Sequence, residues 1–328
     1  MRSLAGTLAA PFPYFGGKAL ACETVWGELG NPVNYVEPFA GSAAMLLGRP
    51  NPGKVETIND ADGFVANFWR AVSHAPDAVT HHADWPCIEA DLEARHAWLV
   101  NRSERLRWQL EDPDFYDAKV AGWWVWGACN WIGSGWCAGE GPHLTNGARL
   151  FDSRKLPHLS AGQGINRKLP HLGDAGKGEH PRSAYIREWM MKLAERLRDV
   201  RVTCGDWKRV VKDSVTTRHG LTGVFLDPPY TLGKMDYAAG GVGGELANAV
   251  REWCKQNGEN DLLRIVLCGH EHEHDELLQH GWHLRTWTAR KGYAVTDEAV
   301  ANSASETLWC SPHCVGRADT AQAALFAV

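Results

Sequence analysis

Short apolar runs alternate with segments of helical periodicity in the N-terminal part of the chain. The run at 33–36 is rich in β-favouring residues and leads into a glycine turn, and the segment 42–48 has the pattern of a short helix. A second strand is predicted at 55–60 and a second helix at 61–74. This order of strand, helix, strand and helix is typical of a parallel sheet with helices on its faces.

The alternation is lost between about Pro76 and His180, and it returns near Ser183. Apolar residues then recur at the spacing of a helix, at Ile186, Met190, Leu193 and Leu197. Beyond that helix, the pattern predicts further strands at 200–204, 222–227, 262–268, 283–288 and 306–310, and one helix at 244–257.

The simplest interpretation is one α/β domain interrupted by an insert of roughly a hundred residues, which is the size of a small domain. We predict that residues 1–75 and 183–328 form a Rossmann-like sheet with helices on its faces. Residues 76–182 are predicted to form the insert, which is mainly helical and loop-like.

The composition adds few constraints. The chain has 328 residues, a net charge of -5 and no apolar run long enough to span a membrane. The N-terminus lacks the full apolar region of a signal peptide, and nine scattered cysteines fit a reduced cytosolic protein. Eight of the sixteen tryptophans fall within 85–136. We interpret most of them as an aromatic core, although aromatic faces can also stack on nucleic-acid bases.

Three acidic residues, Glu37, Asp60 and Asp206, are predicted to lie at or just beyond strand ends. Ligands bind at the carboxyl edge of a parallel sheet, and an acid after the second strand is placed to bind ribose hydroxyls. An acid at a strand end is also a common helix cap. The turn after Glu37 lacks the G-x-G-x-x-G spacing of a dinucleotide site. The three acids together favour a positively charged nucleoside without phosphates, a description that S-adenosylmethionine fits.

The tetrapeptide DPPY occupies 227–230 at the end of a predicted strand. Each proline restricts the residue before it, and neither can donate a backbone hydrogen bond. The Asp227 carboxylate and the Pro228 carbonyl are therefore predicted to form a rigid pair of acceptors that suits an amino group, with Tyr230 able to stack on a base. Asp and Pro are also common in ordinary turns.

These motifs resemble those of the Dam-like DNA adenine-N6 methyltransferases. That family has a GGK motif near the N-terminus, then EPF-x-G, an inserted target-recognition region and DPPY. This chain has PYFGGK, VEPFAG and LDPPY in the same order, so the resemblance covers the chain apart from the middle of the insert. Two residues after Gly41, where the family often has a second glycine, this chain has Ala43.

The resemblance implies methyl transfer from S-adenosylmethionine to the N6 amine of an adenine flipped out of a specific double-stranded DNA sequence. It places the catalytic methyltransferase sheet in 1–75 and 183–328 and the DNA-binding insert in 76–182. Catalysis is assigned to Asp227, Pro228, Pro229 and Tyr230. Cofactor binding is assigned to Tyr14, Phe15, Gly16, Gly17, Lys18, Glu37, Pro38, Phe39, Ala40, Gly41, Ser42, Asp60, Asp206, Trp207 and Asp227.

The hexapeptide RKLPHL occurs twice in the insert, at 154–159 and 167–172, within a basic segment rich in glycine and proline. Local positive charge on an acidic protein favours contact with DNA phosphates, although a solvated loop has the same composition. DNA contacts are assigned to Arg154, Lys155, Arg167, Lys168, Arg290 and Lys291, the last two in a predicted hairpin.

Other readings stay open at this point. GHEHEHDE at 269–276 and CSPHC at 310–314 contain metal-ligand residue types, but neither completes the four ligands of a zinc site, so no metal is predicted. Cytosine-N4 or RNA methylation by the same site, or a non-catalytic DNA-binding relative, are the alternatives. We expect a bacterial or phage-encoded cytoplasmic protein, and the sequence does not distinguish a monomer from a homodimer.

Overall fold

The computed structural model describes residues 8–14, 18–112, 114–131, 136–137, 182–229, 243–286 and 306–316. The chain divides into two compact units. Unit 1 consists of Met1–Ala9, Gly16–Asp60 and Asp199–Val328, and unit 2 consists of Ala10–Phe15 and Ala61–Arg198.

The described part of unit 1 contains one mixed sheet of seven strands. In chain order these strands are β1 Asn34–Glu37, β2 Val55–Asp60, β3 Val200–Cys204, β4 Thr222–Leu226, β5 Leu263–His270, β6 His283–Thr286 and β7 Glu306–Cys310. Their order across the sheet is β3-β2-β1-β4-β5-β7-β6. The first five strands run parallel, whereas β7 is antiparallel to both β5 and β6. The α/β class with a mainly parallel sheet, as predicted, is confirmed.

The burial of each strand follows its place in the sheet. Every residue of the central strands β1 and β4 is buried, which is typical of parallel strands covered on both faces. The edge strands β3 and β6 retain exposed or half-exposed positions. The described helices, in chain order, are α1 Cys22–Leu29, α2 Ala44–Leu47, α3 Gly63–His74, α4 Pro76–Ala83, α5 Glu89–Val100, α6 Ser103–Gln109, α7 Ala118–Asn130, α8 Arg182–Leu197 and α9 Gly243–Asn257.

One buried cluster of unit 1 lies between the sheet and α9. Val250 and Cys254 on α9 belong to this cluster with Val224, Ile265 and Leu267 from β4 and β5. These apolar side chains come from strands whose sequences are rich in Val, Ile and Leu, so burial of the strands drives their pairing.

Unit 2 is helical in its described part. Helix α7 packs against α3, α4 and α5, and α8 packs against α3 and α4. Trp124 and Trp126 on α7 are buried, and the Trp124 ring lies 4.9 Å from the Phe12 ring. Trp108, by contrast, is 72% exposed. The tryptophan-rich stretch therefore contributes both to the core and to the surface.

Several element boundaries differ from those expected. The first strand begins at Asn34, one residue later than predicted, and Val33 before it is 46% exposed. The side-chain Nδ2 of Asn34 instead donates to Val215 O and Thr222 Oγ1 in the interior. Helices α3 and α8, placed by the sequence pattern outside 76–182, belong to unit 2, because their apolar faces contact α4 and α7.

A search of the described helices for a membrane span gives a negative result: none combines sufficient length with sufficient apolar character.

A buried ion pair connects the segment after α2 with β2. Arg49 Nη1 lies 3.0 Å from Glu56 Oε1, with 1% and 4% of the two side chains exposed. The Arg49 guanidinium also donates to Pro32 O and lies 5.0 Å from the centre of the Trp26 ring. Removing one partner of such a pair leaves the other charge buried without compensation.

We expect Arg49→Met to lower the free energy of unfolding by about 3–5 kcal/mol in urea denaturation, because the Glu56 charge stays buried. Arg201→Met, at an exposed position of β3, is the control and should change it by less than about 0.5 kcal/mol. The double variant Arg49→Met/Glu56→Leu should recover much of the loss. An equal loss in the single and double variants would show that the stranded charge is not the cause.

Candidate active site at the carboxyl edge of the sheet

The order of the sheet reverses between β1 and β4. From β1 the chain continues to β2 and β3 on one side, and from β4 to β5 on the other. In open α/β sheets, ligands bind at the carboxyl ends of the strands beside such a reversal. The segment Glu37 to Gly41 follows β1, and Asp227 to Pro229 follows β4. Two of the predicted motifs therefore begin on adjacent strands of the sheet.

A lysine from the third motif reaches the same place. Lys18 Nζ lies 3.5 Å from Asp227 Oδ1, with 3% of the lysine side chain and 21% of the aspartate side chain exposed. The pair brings the end of PYFGGK to the start of DPPY. Pro228 is buried and Pro229 is half-buried, so the two prolines fix the backbone that carries Asp227.

Glu37 has a different environment from the one expected of a ligand-facing acid. It is 2% exposed, and its Oε2 accepts hydrogen bonds of 3.1 Å from both the Tyr35 hydroxyl and the Leu46 amide at the start of α2. Burial raises the pKa of Glu37 to about 8, and the nearby Asp227 carboxylate adds to the increase. Near neutral pH, Glu37 is therefore mainly protonated, and Asp227 is the carboxylate that pairs with Lys18.

The turn after β1 is anchored to the end of β2. The Gly41 amide donates to Asp60 Oδ2 over 2.8 Å, and the Ala40 amide donates to Asn59 O over 2.9 Å. Gly41 and Ala43 have φ angles of 46° and 49°, in the left-handed region. Glycine suits that region, whereas the methyl of Ala43 introduces steric strain. Asp60, at the carboxyl end of β2, thus orders the turn after β1.

Asn59 connects three of the strand ends, a role that the sequence analysis missed. Its Nδ2 donates to Pro38 O and to Gly205 O, each over 3.0 Å, and its Oδ1 accepts from the Thr203 hydroxyl. The side chain is 2% exposed. In the sequence, Asn59 is only a polar residue next to the last position of a predicted strand. The alternation of polar and apolar residues does not show whether such a residue is buried or exposed.

Asp206 and Trp207 follow β3. Asp206 Oδ1 accepts from the Lys208 amide at 2.7 Å, so the residue caps the 3-10 turn Trp207–Arg209, and it remains exposed. Trp207 is 5% exposed, and its ring packs 6.0 Å from Phe39 and 6.3 Å from Trp253. The Asp206 carboxylate is therefore exposed beyond the end of β3, whereas the Trp207 side chain is part of the buried core.

Several assigned residues cannot be placed in the site. Tyr14 belongs to unit 2, where its ring lies 6.2 Å from Phe12. Ser42 is half-buried in the turn after β1. The remaining assigned residues lie outside the described part of the chain, namely Phe15, Gly16, Gly17, Tyr230, Arg154, Lys155, Arg167, Lys168, Arg290 and Lys291.

The histidines of GHEHEHDE have separate environments. His272 is exposed and its Nδ1 lies 2.6 Å from Asp275 Oδ2, whereas His274 is fully buried with its ring 5.0 Å from the Trp309 ring. Across the described residues, the histidines of this motif do not gather with other ligands into a metal-binding group.

The raised pKa of Glu37 makes stability depend on pH. The folded state keeps the proton up to about pH 8, whereas the unfolded chain releases it near 4.5, so stability falls as the pH rises between these values. The slope is at most about 1.4 kcal/mol per pH unit. We expect Glu37→Gln to show a smaller loss of unfolding free energy between about pH 5 and pH 8 than the wild type, measured by urea denaturation.

Glu23→Gln, on the exposed surface of α1, is the matched control and should keep the wild-type slope. A Glu37→Gln variant with an unchanged slope would contradict a protonated Glu37 in the folded protein.

Comparison of the chain with models of protein families and with curated proteins finds no match. The geometry at the edge of the sheet and the order of the sequence motifs are therefore the basis for a functional assignment.

Proposed function

We propose that the protein is an S-adenosylmethionine-dependent methyltransferase that modifies the N6 amine of adenine in double-stranded DNA. The observation that carries this proposal is the meeting of Lys18 and Asp227 at the reversal point of the sheet. Three motifs that are far apart in the sequence and resemble one enzyme family contribute to the same edge of one sheet.

The sheet is compatible with a nucleoside ligand. Its five parallel strands have the order 3-2-1-4-5, and an antiparallel β7 lies between β5 and β6. Open sheets of this kind bind nucleotides at the carboxyl ends of the strands beside the reversal of strand order.

The described residues fit S-adenosylmethionine. Asp60 ends β2 and Asp206 lies two residues beyond the neighbouring strand β3, and the ends of the two strands are in register at Asp60 and Cys204. Carboxylates at these positions suit the ribose hydroxyls and the adenine amine of a nucleoside. When bound, this cofactor supplies a sulfonium methyl group, which the target amine takes up with loss of one proton. The carboxylates of Asp60 and Asp206 are suited to the positive charge of the sulfonium.

Asp227 and Pro228 are proposed to hold the target amine. The ammonium of Lys18 fixes the Asp227 carboxylate at Oδ1, and the flanking prolines fix the backbone. Acceptors that are fixed in advance stabilise the positive charge that develops on the amine without further reorganisation. The neutral Glu37 avoids placing a second negative charge beside Asp227.

DNA recognition is proposed for the insert, with the two RKLPHL segments on phosphates. A base within a duplex cannot reach a site at the edge of a sheet, so the adenine must be flipped out, at a cost of a few kcal/mol that DNA contacts offset. A protein with this activity would act on DNA in the cytoplasm of a bacterium.

The test is transfer of radiolabelled methyl to DNA of mixed sequence, followed by mass analysis of the modified nucleoside. N6-methyladenine is the expected product. N4-methylcytosine as the product would instead identify cytosine as the target base. Labelling of RNA alone would identify RNA as the substrate. Cofactor binding without transfer to any of these would identify a non-catalytic relative.

We expect Asp227→Ala to lower the transfer rate by at least about 100-fold, because one of the two fixed acceptors is lost. Binding of S-adenosylmethionine, measured by calorimetry, should be largely kept. Asp213→Ala, at an exposed position of unit 1, is the control and should retain activity. Full activity in Asp227→Ala would remove Asp227 from the proposed role.

A further inference from the structure

A second group of ligand-type side chains lies in unit 1, on α1, β6 and β7. Glu28, His283 and Cys310 each offer one ligand atom, and these atoms lie within 4.8 Å of one another. His283 Nε2 is 3.0 Å from Glu28 Oε2. Glu28 and Cys310 are almost fully buried, and 18% of the His283 side chain is exposed.

The fold explains why these residues meet. His283 and Cys310 are directly paired across the antiparallel strands β6 and β7, which brings their side chains together. His283 and Arg285 are two residues apart on β6, so they share one face of the strand, and both contact Glu28.

Cys314, unlike Cys310, lies outside this group. The chain turns after β7 through a hydrogen bond from the Cys314 amide to Ser311 O, and the Cys314 thiol donates to Ile265 O. Cys314 is 4% exposed. Cys310 and Cys314 are the two cysteines of CSPHC, whereas the histidine of that motif lies against Glu259 O instead.

We propose that Glu28, His283 and Cys310 bind one zinc ion. One sulfur, one imidazole and one carboxylate form a set that zinc accepts, and a thiolate favours zinc over hard cations. Zinc bonds of about 2.0–2.3 Å in a tetrahedron place neighbouring ligand atoms about 3.3–3.8 Å apart. The separation of Glu28 Oε2 and His283 Nε2 is close to that range, so small side-chain adjustments would complete the site.

Arg285 orients the carboxylate of the group. Its Nε donates to Glu28 Oε1 and its Nη2 donates to Gly316 O, which holds the carboxylate so that Oε2 faces His283. The Glu28 carboxylate and an ionised Cys310 thiol would balance the two charges of the metal. A partner that orients a ligand is typical of zinc sites.

The sequence analysis predicted no metal because CSPHC alone does not complete a ligand set. The missing ligands come from residues that are distant in the sequence, since Glu28 and His283 are separated by 255 positions. The site connects the antiparallel end of the sheet with α1. The zinc proposal is independent of the proposed methyl transfer, so a negative result in the zinc experiments would leave the proposed function unaffected.

The test uses the full-length protein without a histidine tag, purified without chelators. Inductively coupled plasma mass spectrometry should find one zinc ion per chain in the wild type and at least a tenfold reduction in Cys310→Ser and His283→Ala. Cys254→Ser, a buried cysteine on α9, is the matched control and should keep the metal. Equal zinc contents in Cys310→Ser and the wild type would overturn the proposal.

A measurement on the wild type tests the zinc site even if the variants of its ligands do not fold. Metal-free protein is titrated with cobalt(II), and coordination by the Cys310 thiolate should produce a charge-transfer absorption in the near ultraviolet at one equivalent, which zinc then displaces. A wild-type protein that is purified without zinc and gives no such absorption does not contain the proposed site.

Discussion

The ion pair between Lys18 and Asp227 is the interaction on which the candidate active site depends. It joins a residue near the N-terminus to the end of β4 at the point where the order of the sheet reverses. The lysine is nearly inaccessible to water, so the aspartate is required to compensate its charge. The two prolines after Asp227 restrict the backbone that presents the carboxylate.

The polar groups around this pair are arranged so that few charges are buried together. Glu37 caps the start of α2 in a mainly neutral form, and Asn59 satisfies two carbonyls and one hydroxyl without introducing a charge. Buried polar groups that are fully hydrogen bonded specify one arrangement of the backbone. The ends of β1, β2 and β3 are held in register by such groups, which leaves Asp206 and Asp227 partly exposed at the rim.

The sequence predicted the strand and helix positions of unit 1 well, because parallel strands are nearly continuous apolar runs. It also predicted that Glu37, Asp60 and Asp206 lie at or just beyond strand ends, as they do in the structure. It did not predict Asn59, because a polar residue near a strand end has no local signal of burial. The partners of α3 and α8 are determined by tertiary packing, which periodicity does not encode. The meeting of Glu28, His283 and Cys310 depends on strand pairing between distant segments, so no local pattern could indicate it.

Ala43 affects how readily the turn after β1 can accommodate a ligand. An alanine in the left-handed region carries about 1–2 kcal/mol of steric strain that glycine would avoid. Alanine also samples fewer backbone conformations than glycine in the unfolded chain, which offsets part of that strain. A molecule that packs against this turn would therefore meet a preorganised surface, and little of its affinity would be lost in ordering the loop.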